Sequence, residues 1–209
     1  KYFPHQNIGG DYFDFIRIND HEFMWCIADV SGKGISAALL MANFQASLRA
    51  WAVVEDDLTN IIERLNQIML RNTKGERFIT LFLAKYNGHT RKLNFINAGH
   101  NPSILFNDGE AIPLKLGTTM IGAFDELPFL NQGEVDIEPG TLIFNYTDGL
   151  MDYDVPTQKT WDEDKLIDFV VSNGNLSPDK FNQTLLDHLN LIVTGKHIDD
   201  ITLLTISIF

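Results

Sequence analysis

Tyr12-Phe13-Asp14-Phe15-Ile16-Arg17-Ile18, Asn19-Asp20-His21 and Glu22-Phe23-Met24-Trp25-Cys26-Ile27-Ala28 run straight into Asp29-Val30-Ser31-Gly32-Lys33-Gly34. The two apolar stretches around a short polar turn read as a β-hairpin. Behind the Gly32-Lys33-Gly34 turn, Ile35, Leu39, Ala42, Ala46 and Arg49 recur at helical spacing. A second helix follows, because Leu58, Ile61, Ile62, Leu65, Ile68 and Met69 fall at i, i+3, i+4, i+7, i+10 and i+11. Two strands followed by two consecutive helices do not fit an alternating βαβ chain.

Further along, Phe78 to Tyr86 and Arg91 to Ala98 flank Asn87-Gly88, a pair that accepts the positive φ angles of a tight hairpin turn. Strands are expected near Ser103–Phe106, Glu134–Ile137 and Thr141–Thr147, helices over Asp162–Ser172 and Pro178–Ile192, and a last strand over Ile201–Ile208. Met120 and Phe124 read as a loop packed over sheet edges. The order predicts an α+β fold of mainly antiparallel sheets covered by helix pairs. No linker-like run, low-complexity tract or repeat divides residues 1–209, so a single domain is expected.

The 209 residues are 44% hydrophobic and 21% charged, an ordinary globular composition long enough to bury a core without disulfides. Cys26 is the one cysteine, and its apolar neighbours mark it as a buried structural thiol in a reducing, cytoplasmic setting. Sixteen Lys and Arg against 28 Asp and Glu give a net charge of −12, which argues against nucleic acid and anionic membrane surfaces as partners. No apolar run has the length of a membrane span. The start, Lys1-Tyr2-Phe3-Pro4, resembles neither a signal peptide nor a natural beginning, so the chain reads as an excised piece of something longer.

Four segments share one pattern, an apolar strand running into a turn rich in Asp and Gly. They are Gly9-Gly10-Asp11, Ala28-Asp29-Val30-Ser31-Gly32, Tyr146-Thr147-Asp148-Gly149 and Asp199-Asp200-Ile201-Thr202. Carboxylates at strand ends, with glycines letting backbone approach, suit an all-oxygen site for a hard divalent cation. Each taken alone reads more readily as a turn in which Asp caps its own loop. Gly32-Lys33-Gly34 is not a P-loop, because Ile27 stands where the first Gly is needed and Gly34 replaces Ser or Thr. Lys33 is read as a solvated loop residue ahead of a phosphate contact, and His100 as a hydrogen-bonded loop histidine. The sequons at Asn175 and Asn182 are read as fortuitous.

In this order, Tyr2-Phe3-Pro4 with Ile8-Gly9-Gly10-Asp11-Tyr12-Phe13-Asp14, Ala28 to Ile35 with Ala37-Ala38-Leu39-Leu40-Met41, Phe78-Ile79-Thr80-Leu81-Phe82, Asn97-Ala98-Gly99-His100-Asn101-Pro102, Tyr146-Thr147-Asp148-Gly149 and Asp199-Asp200-Ile201-Thr202 closely resemble the PPM superfamily of metal-dependent serine/threonine phosphatases. The branch they are similar to is the bacterial SpoIIE/RsbU-like one. The resemblance implies a four-layer α-β-β-α sandwich with two Mn²⁺ or Mg²⁺ ions at one end. Asp29 would bridge the ions with the Val30 carbonyl beside it, Asp148 and Asp199 would bind one ion, and Asp11 would reach the other side mainly through water. Asp29, Asp148 and Asp199 are thereby the expected catalytic residues. Two ions so held acidify a bridging water and clamp the phosphoryl oxygens for in-line attack.

The implied activity is hydrolysis of phosphoserine or phosphothreonine on a bacterial signalling protein of the anti-sigma-factor-antagonist type, under an upstream sensor or receiver domain, with homodimerisation left open. A catalytically weak regulatory binding module of the same fold is the alternative. Departures from the wider superfamily are Ser31 where many members carry a proton-donating His, the lack of Arg in residues 1–14, and Asp152 where the branch usually has Glu.

Overall fold

The computed structural model describes residues 1–4, 9–151, 162–189 and 199–209. After a two-residue strand β1 (Tyr2–Phe3) come β2 (Tyr12–Arg17), β3 (Glu22–Val30), α1 (Ile35–Ala52), α2 (Leu58–Thr73), β4 (Ile79–Asn87), β5 (Lys92–Ala98), β6 (Ser103–Asn107), β7 (Glu110–Leu114), β8 (Gly117–Thr118), β9 (Gly133–Asp136), β10 (Thr141–Tyr146), α3 (Glu163–Asn173), α4 (Pro178–His188) and β11 (Ile201–Ile208). One turn of 3-10 helix, Asp148–Leu150, closes β10.

One sheet has the order β2-β3-β4-β5-β8, with β9 also pairing β5, and the other has the order β1-β11-β10-β6-β7. Among the described strands all pairings are antiparallel except β5 with β8. At that parallel contact a Cβ on Gly117 would lie 2.0 Å from the Asn97 carbonyl oxygen, so only glycine lets the two strands meet.

Strand pleating explains the layers. Along β3, Met24, Cys26, Ala28 and Val30 face α1 and α2, while Trp25 and Ile27 face the opposite sheet. A strand buried on both faces needs the near-continuous apolar run that Phe23 to Ala28 supplies. On the other sheet Leu142, Phe144 and Tyr146 pack under α3 and α4, and Ile143 faces inward. The result is the expected α-β-β-α sandwich. Each large side chain fully withdrawn from water adds roughly 1.5–3 kcal/mol before entropy is set against it.

The α2 stripe is as read, with Leu58, Ile61, Ile62, Leu65 and Met69 buried. In α1 the buried residues are Ala37, Phe44, Leu48 and Ala52, so the periodic set Ile35, Leu39, Ala42 and Ala46 lies on the outer face. Asn87-Gly88 does not form a two-residue turn. Asn87 already pairs with Lys92 in the ladder, its Oδ1 accepts from the His89 and Thr90 amides, and the left-handed residue is Arg91 at φ 56°.

Cys26 is fully buried, and burial pushes its thiol pKa up, as a structural role requires. The segment from Gly117 to Phe124 lies across β4 and α2, with Ile121 bridging Ile79 and the Phe124 carbonyl accepting from Asn66. Asn182 is buried and bonded to Thr205. Ile8, Asp152 and the end of the helix expected to reach Ile192 lie outside the described residues. Among the described residues no helix is long and apolar enough to cross a membrane.

Candidate metal centre

All four Asp-Gly segments arrive at the same end of the sandwich. Asp29 is the penultimate residue of β3, Asp11 immediately precedes β2, Asp148 follows β10 by two residues, and Asp199 precedes β11 by two. Asp11 is nearly buried, and its Oδ2 accepts hydrogen bonds from the Thr147 hydroxyl at 2.8 Å and the Thr202 hydroxyl at 2.6 Å. Thr147 Oγ1 also accepts from the Thr202 amide at 2.9 Å, so one hydroxyl ties the N-terminal carboxylate to both strand ends of the second sheet.

Asp200 completes this joint, because its Oδ2 accepts from the Gly10 amide at 2.8 Å. The glycines make the approach possible. A Cβ on Gly149 would lie 2.0 Å from the Asp200 carbonyl oxygen, one on Gly9 would lie 2.1 Å from Asp200 Oδ2, and one on Gly10 would lie 2.9 Å from the Val30 carbonyl oxygen and 3.4 Å from Asp29 Oδ1.

Electrostatics register the convergence. Burial first, and then the charges of Asp148, Asp199 and Asp200, push the Asp29 carboxyl up to about 7, with Lys33 opposing. Asp11 is pushed up to about 8 by burial, against the two threonine hydrogen bonds and with the charges of Asp29 and Asp200 adding to it. Among the described residues no three Asp, Glu, His or Cys side chains are yet drawn into a ready-made coordination shell. The donor set is carboxylate and carbonyl oxygen, the chemistry of Mg²⁺ or Mn²⁺, and glycines keep the approach to it open. The residues fit such a group.

Several neighbours were not picked out from the sequence. Asp200, Thr147 and Thr202 lie inside the same motifs as Asp148 and Asp199, and their signal in the sequence is a polar residue at the mouth of an otherwise apolar strand. Arg77 donates to the Ser31 carbonyl at 2.7 Å. Lys33 is the exposed loop residue expected, and it also pairs with Asp199 Oδ2 at 2.8 Å. Ser31 is tied to β4, since its Oγ accepts from the Phe78 amide and its amide donates to the Phe78 carbonyl. His100 is buried as well as hydrogen-bonded. Its Nδ1 meets the Thr80 hydroxyl at 2.9 Å, and burial pushes its pKa down to about 4, so the ring is neutral.

The family model for stage II sporulation protein E (SpoIIE) matches residues 19–209, most of the chain. This chain belongs to the SpoIIE family. The SpoIIE-family domain is 26% identical to Protein IcfG of Synechocystis sp. over 97% of its own length and 36% of that protein. It is 27% identical to the phosphoserine phosphatase RsbU of Bacillus subtilis over 70% of its length and 44% of that protein. The domain thus spans less than half of the curated relatives it matches. Among solved structures, the SiaA-PP2C domain of Pseudomonas aeruginosa superposes with a TM-score of 0.87 at 20% identity, covering 100% of this chain and 85% of that one. The PP2C phosphatase domain of SpoIIE from Bacillus subtilis gives 0.80 at 17% identity, covering 95% and 58%. The fold is therefore that of a PP2C-type phosphatase domain, in the SpoIIE/RsbU-like branch of the PPM superfamily.

Proposed function

We propose that the SpoIIE-family domain is a Mn²⁺- or Mg²⁺-dependent phosphatase acting on phosphoserine or phosphothreonine of a bacterial signalling protein. The observation that carries this reading is the meeting of Asp11, Asp29, Asp148 and Asp199 at one end of the sandwich, where the charges of Asp148 and Asp199 act on Asp29. Asp29 would hold both of two cations, with the Val30 carbonyl as a backbone ligand beside it, Asp148 and Asp199 would hold one of them, and Asp11 would reach the other side mainly through water. When bound, such ions supply Lewis acidity at the phosphoryl oxygens and an activated water for in-line attack.

The chain's own residues do the positioning. Thr147 and Thr202 fix the rotation of the Asp11 carboxylate by sharing its Oδ2. The Asp200–Gly10 hydrogen bond holds the Gly-Gly-Asp segment against the start of β11. Ser31, committed to β4, leaves the proton for the departing serine or threonine oxygen to come from water.

The substrate of this reading is an anti-sigma-factor antagonist or a similar small phosphoprotein, met in the cytoplasm. A net charge of −12 gives such an acidic partner little long-range attraction, so recognition rests on local docking. An upstream sensor or receiver domain is the proposed source of control. The outer face of α1 supports that role, since Ile35 and Leu39 are 69% and 68% exposed immediately after the Asp29 loop.

The test is hydrolysis of p-nitrophenyl phosphate with Mn²⁺, with Mg²⁺ and after chelation. Metal-dependent turnover abolished by Asp29→Asn supports the enzyme. A well-folded domain inert under all conditions would leave the binding-module alternative in its place.

A further inference from the structure

Lys33 sits between Gly32 at φ 97° and Gly34 at φ 77°, backbone angles that side-chain-bearing residues seldom adopt. This doubly bent loop returns the lysine over the site, where Nζ lies 2.8 Å from Asp199 Oδ2 and about half of the side chain remains in solvent. The ammonium also lies in the field of Asp148 and Asp200. The neighbouring cation is committed elsewhere. Arg77 Nη1 bonds the Ser31 carbonyl and occupies the space over Gly32, only 1.4 Å from where a Cβ would stand.

A phosphate ester brings a dianion to a site lined by Asp11, Asp29, Asp148, Asp199 and Asp200, and residues 1–14 offer no arginine to receive it. We propose that Lys33 is a countercharge shared between Asp199 and the substrate phosphate. It pairs with Asp199 while that carboxylate holds no cation, competes with a divalent cation for it, and turns to the phosphoryl oxygens once displaced. The assignment rests on the metal-dependent phosphatase reading above. The chemistry suits it. An ammonium on a flexible four-carbon stem is a point charge that can change partners, and an exposed ion pair is weak enough to be given up.

The experiment compares wild type, Lys33→Gln and Lys33→Arg. Mn²⁺ binding to the metal-free domain is read by calorimetry, and inhibition of p-nitrophenyl phosphate hydrolysis is read with inorganic phosphate. Lys33→Gln is expected to bind Mn²⁺ roughly three- to tenfold more tightly at low salt, because a competing positive charge is gone. The difference should shrink as salt is raised. The same variant should be inhibited by inorganic phosphate a few-fold more weakly, and Lys33→Arg, which keeps the charge, should stay near wild type in both. A loop lysine with only a structural role would not move the two affinities in opposite directions. Equal Mn²⁺ affinity in Lys33→Gln and wild type, or equal inhibition by phosphate, overturns the Lys33 assignment and leaves the metal centre standing. No Mn²⁺ binding by any of the three proteins overturns both.

Discussion

The two ends of the sandwich both carry short polar side chains, asparagines at one and aspartates at the other, and use them differently. At the far end, Asn19 Oδ1 accepts from the His21 and Glu22 amides, and Asn87 Oδ1 from those of His89 and Thr90. Those oxygens are satisfied two or three residues away, as turn chemistry dictates. At the site end, Asp11 is held by Thr147 and Thr202, and Asp200 by Gly10, residues 136 to 191 positions distant. Asp199 shows both habits, since it bonds the next amide in the chain as well as Lys33. What separates a turn from a site is therefore the sequence distance over which its polar atoms find partners.

Asp14 makes the contrast on a single strand. Three residues beyond Asp11, it faces the helix layer instead of the site. Burial would raise its pKa, but hydrogen bonds from Arg49 and Tyr12 outweigh that and hold it below the usual carboxylate range.

The largest effect expected from breaking the contrast is that of Asp29→Asn. Removing the central charge should cost at least about a hundredfold in turnover. It should leave the metal-free Tm equal to or above that of wild type, because like-charge repulsion is relieved. It should also abolish most of the Tm rise that Mn²⁺ gives wild type by mass action. A variant that loses stability without metal yet keeps its Mn²⁺ response and its activity would return Asp29 to ordinary turn chemistry.

Next in size is Gly149→Ala, whose Cβ would meet the Asp200 carbonyl. It should destabilise by about 1–3 kcal/mol, as overpacking does, and blunt the Mn²⁺ response. Gly140→Ala, at the far end with open space around it but with φ 87°, should cost about 1–2 kcal/mol of backbone strain and leave that response intact. Denaturant titrations with and without Mn²⁺ measure both.

The pH dependence follows from Asp11 and Asp29. Their folded pKa values, about 8 and about 7, lie above the ordinary carboxylate value, so the folded metal-free domain binds more protons than the unfolded chain. That contribution is complete below about pH 4 and is lost as pH rises through 7 to 8. Metal-free Tm should therefore fall from pH 5.5 to pH 8.5, less steeply in Asp29→Asn. A Tm that rises over this range would contradict the crowding of carboxylates. The smallest effect is that of Asn87→Ala, expected to lower stability by about 0.5–1.5 kcal/mol with kcat/KM and Mn²⁺ response unchanged.

Periodicity made the helix pairs and the long strands legible, because each buries a face whose spacing survives in the sequence. What escaped it lacks such a face. Strand β1 has two residues, β8 has two, and β7, at the sheet edge among the described strands, pairs β6 and carries Pro113 within an alternately exposed run. The outer face of α1 was apolar enough to mimic a core stripe, whereas the buried side is built on Phe44, Leu48 and two alanines. In the site, Asp11, Asp29, Asp148 and Asp199 were visible as carboxylates at strand mouths. Neither the partners of Asp11 nor the separate tasks of Asp199 and Asp200 could be read, because adjacent identical side chains differ only in the direction each takes in the fold.

The position of β11 has a consequence for how the domain comes into being. Although it comes last in sequence among the described strands, β11 lies between β1 and β10. It brings Thr202 to Asp11, with Asp200 meeting Gly10 just ahead of it. A ribosome making the domain therefore releases Asp11, Asp29 and Asp148 long before their partners exist, and the second sheet waits with a slot beside β10. Such distant pairings close slowly, so the carboxylate cluster is among the last features to form. Until then the nascent chain carries an open β10 edge and no assembled centre, and activity in synthesis-coupled assays should appear only after β11 has docked.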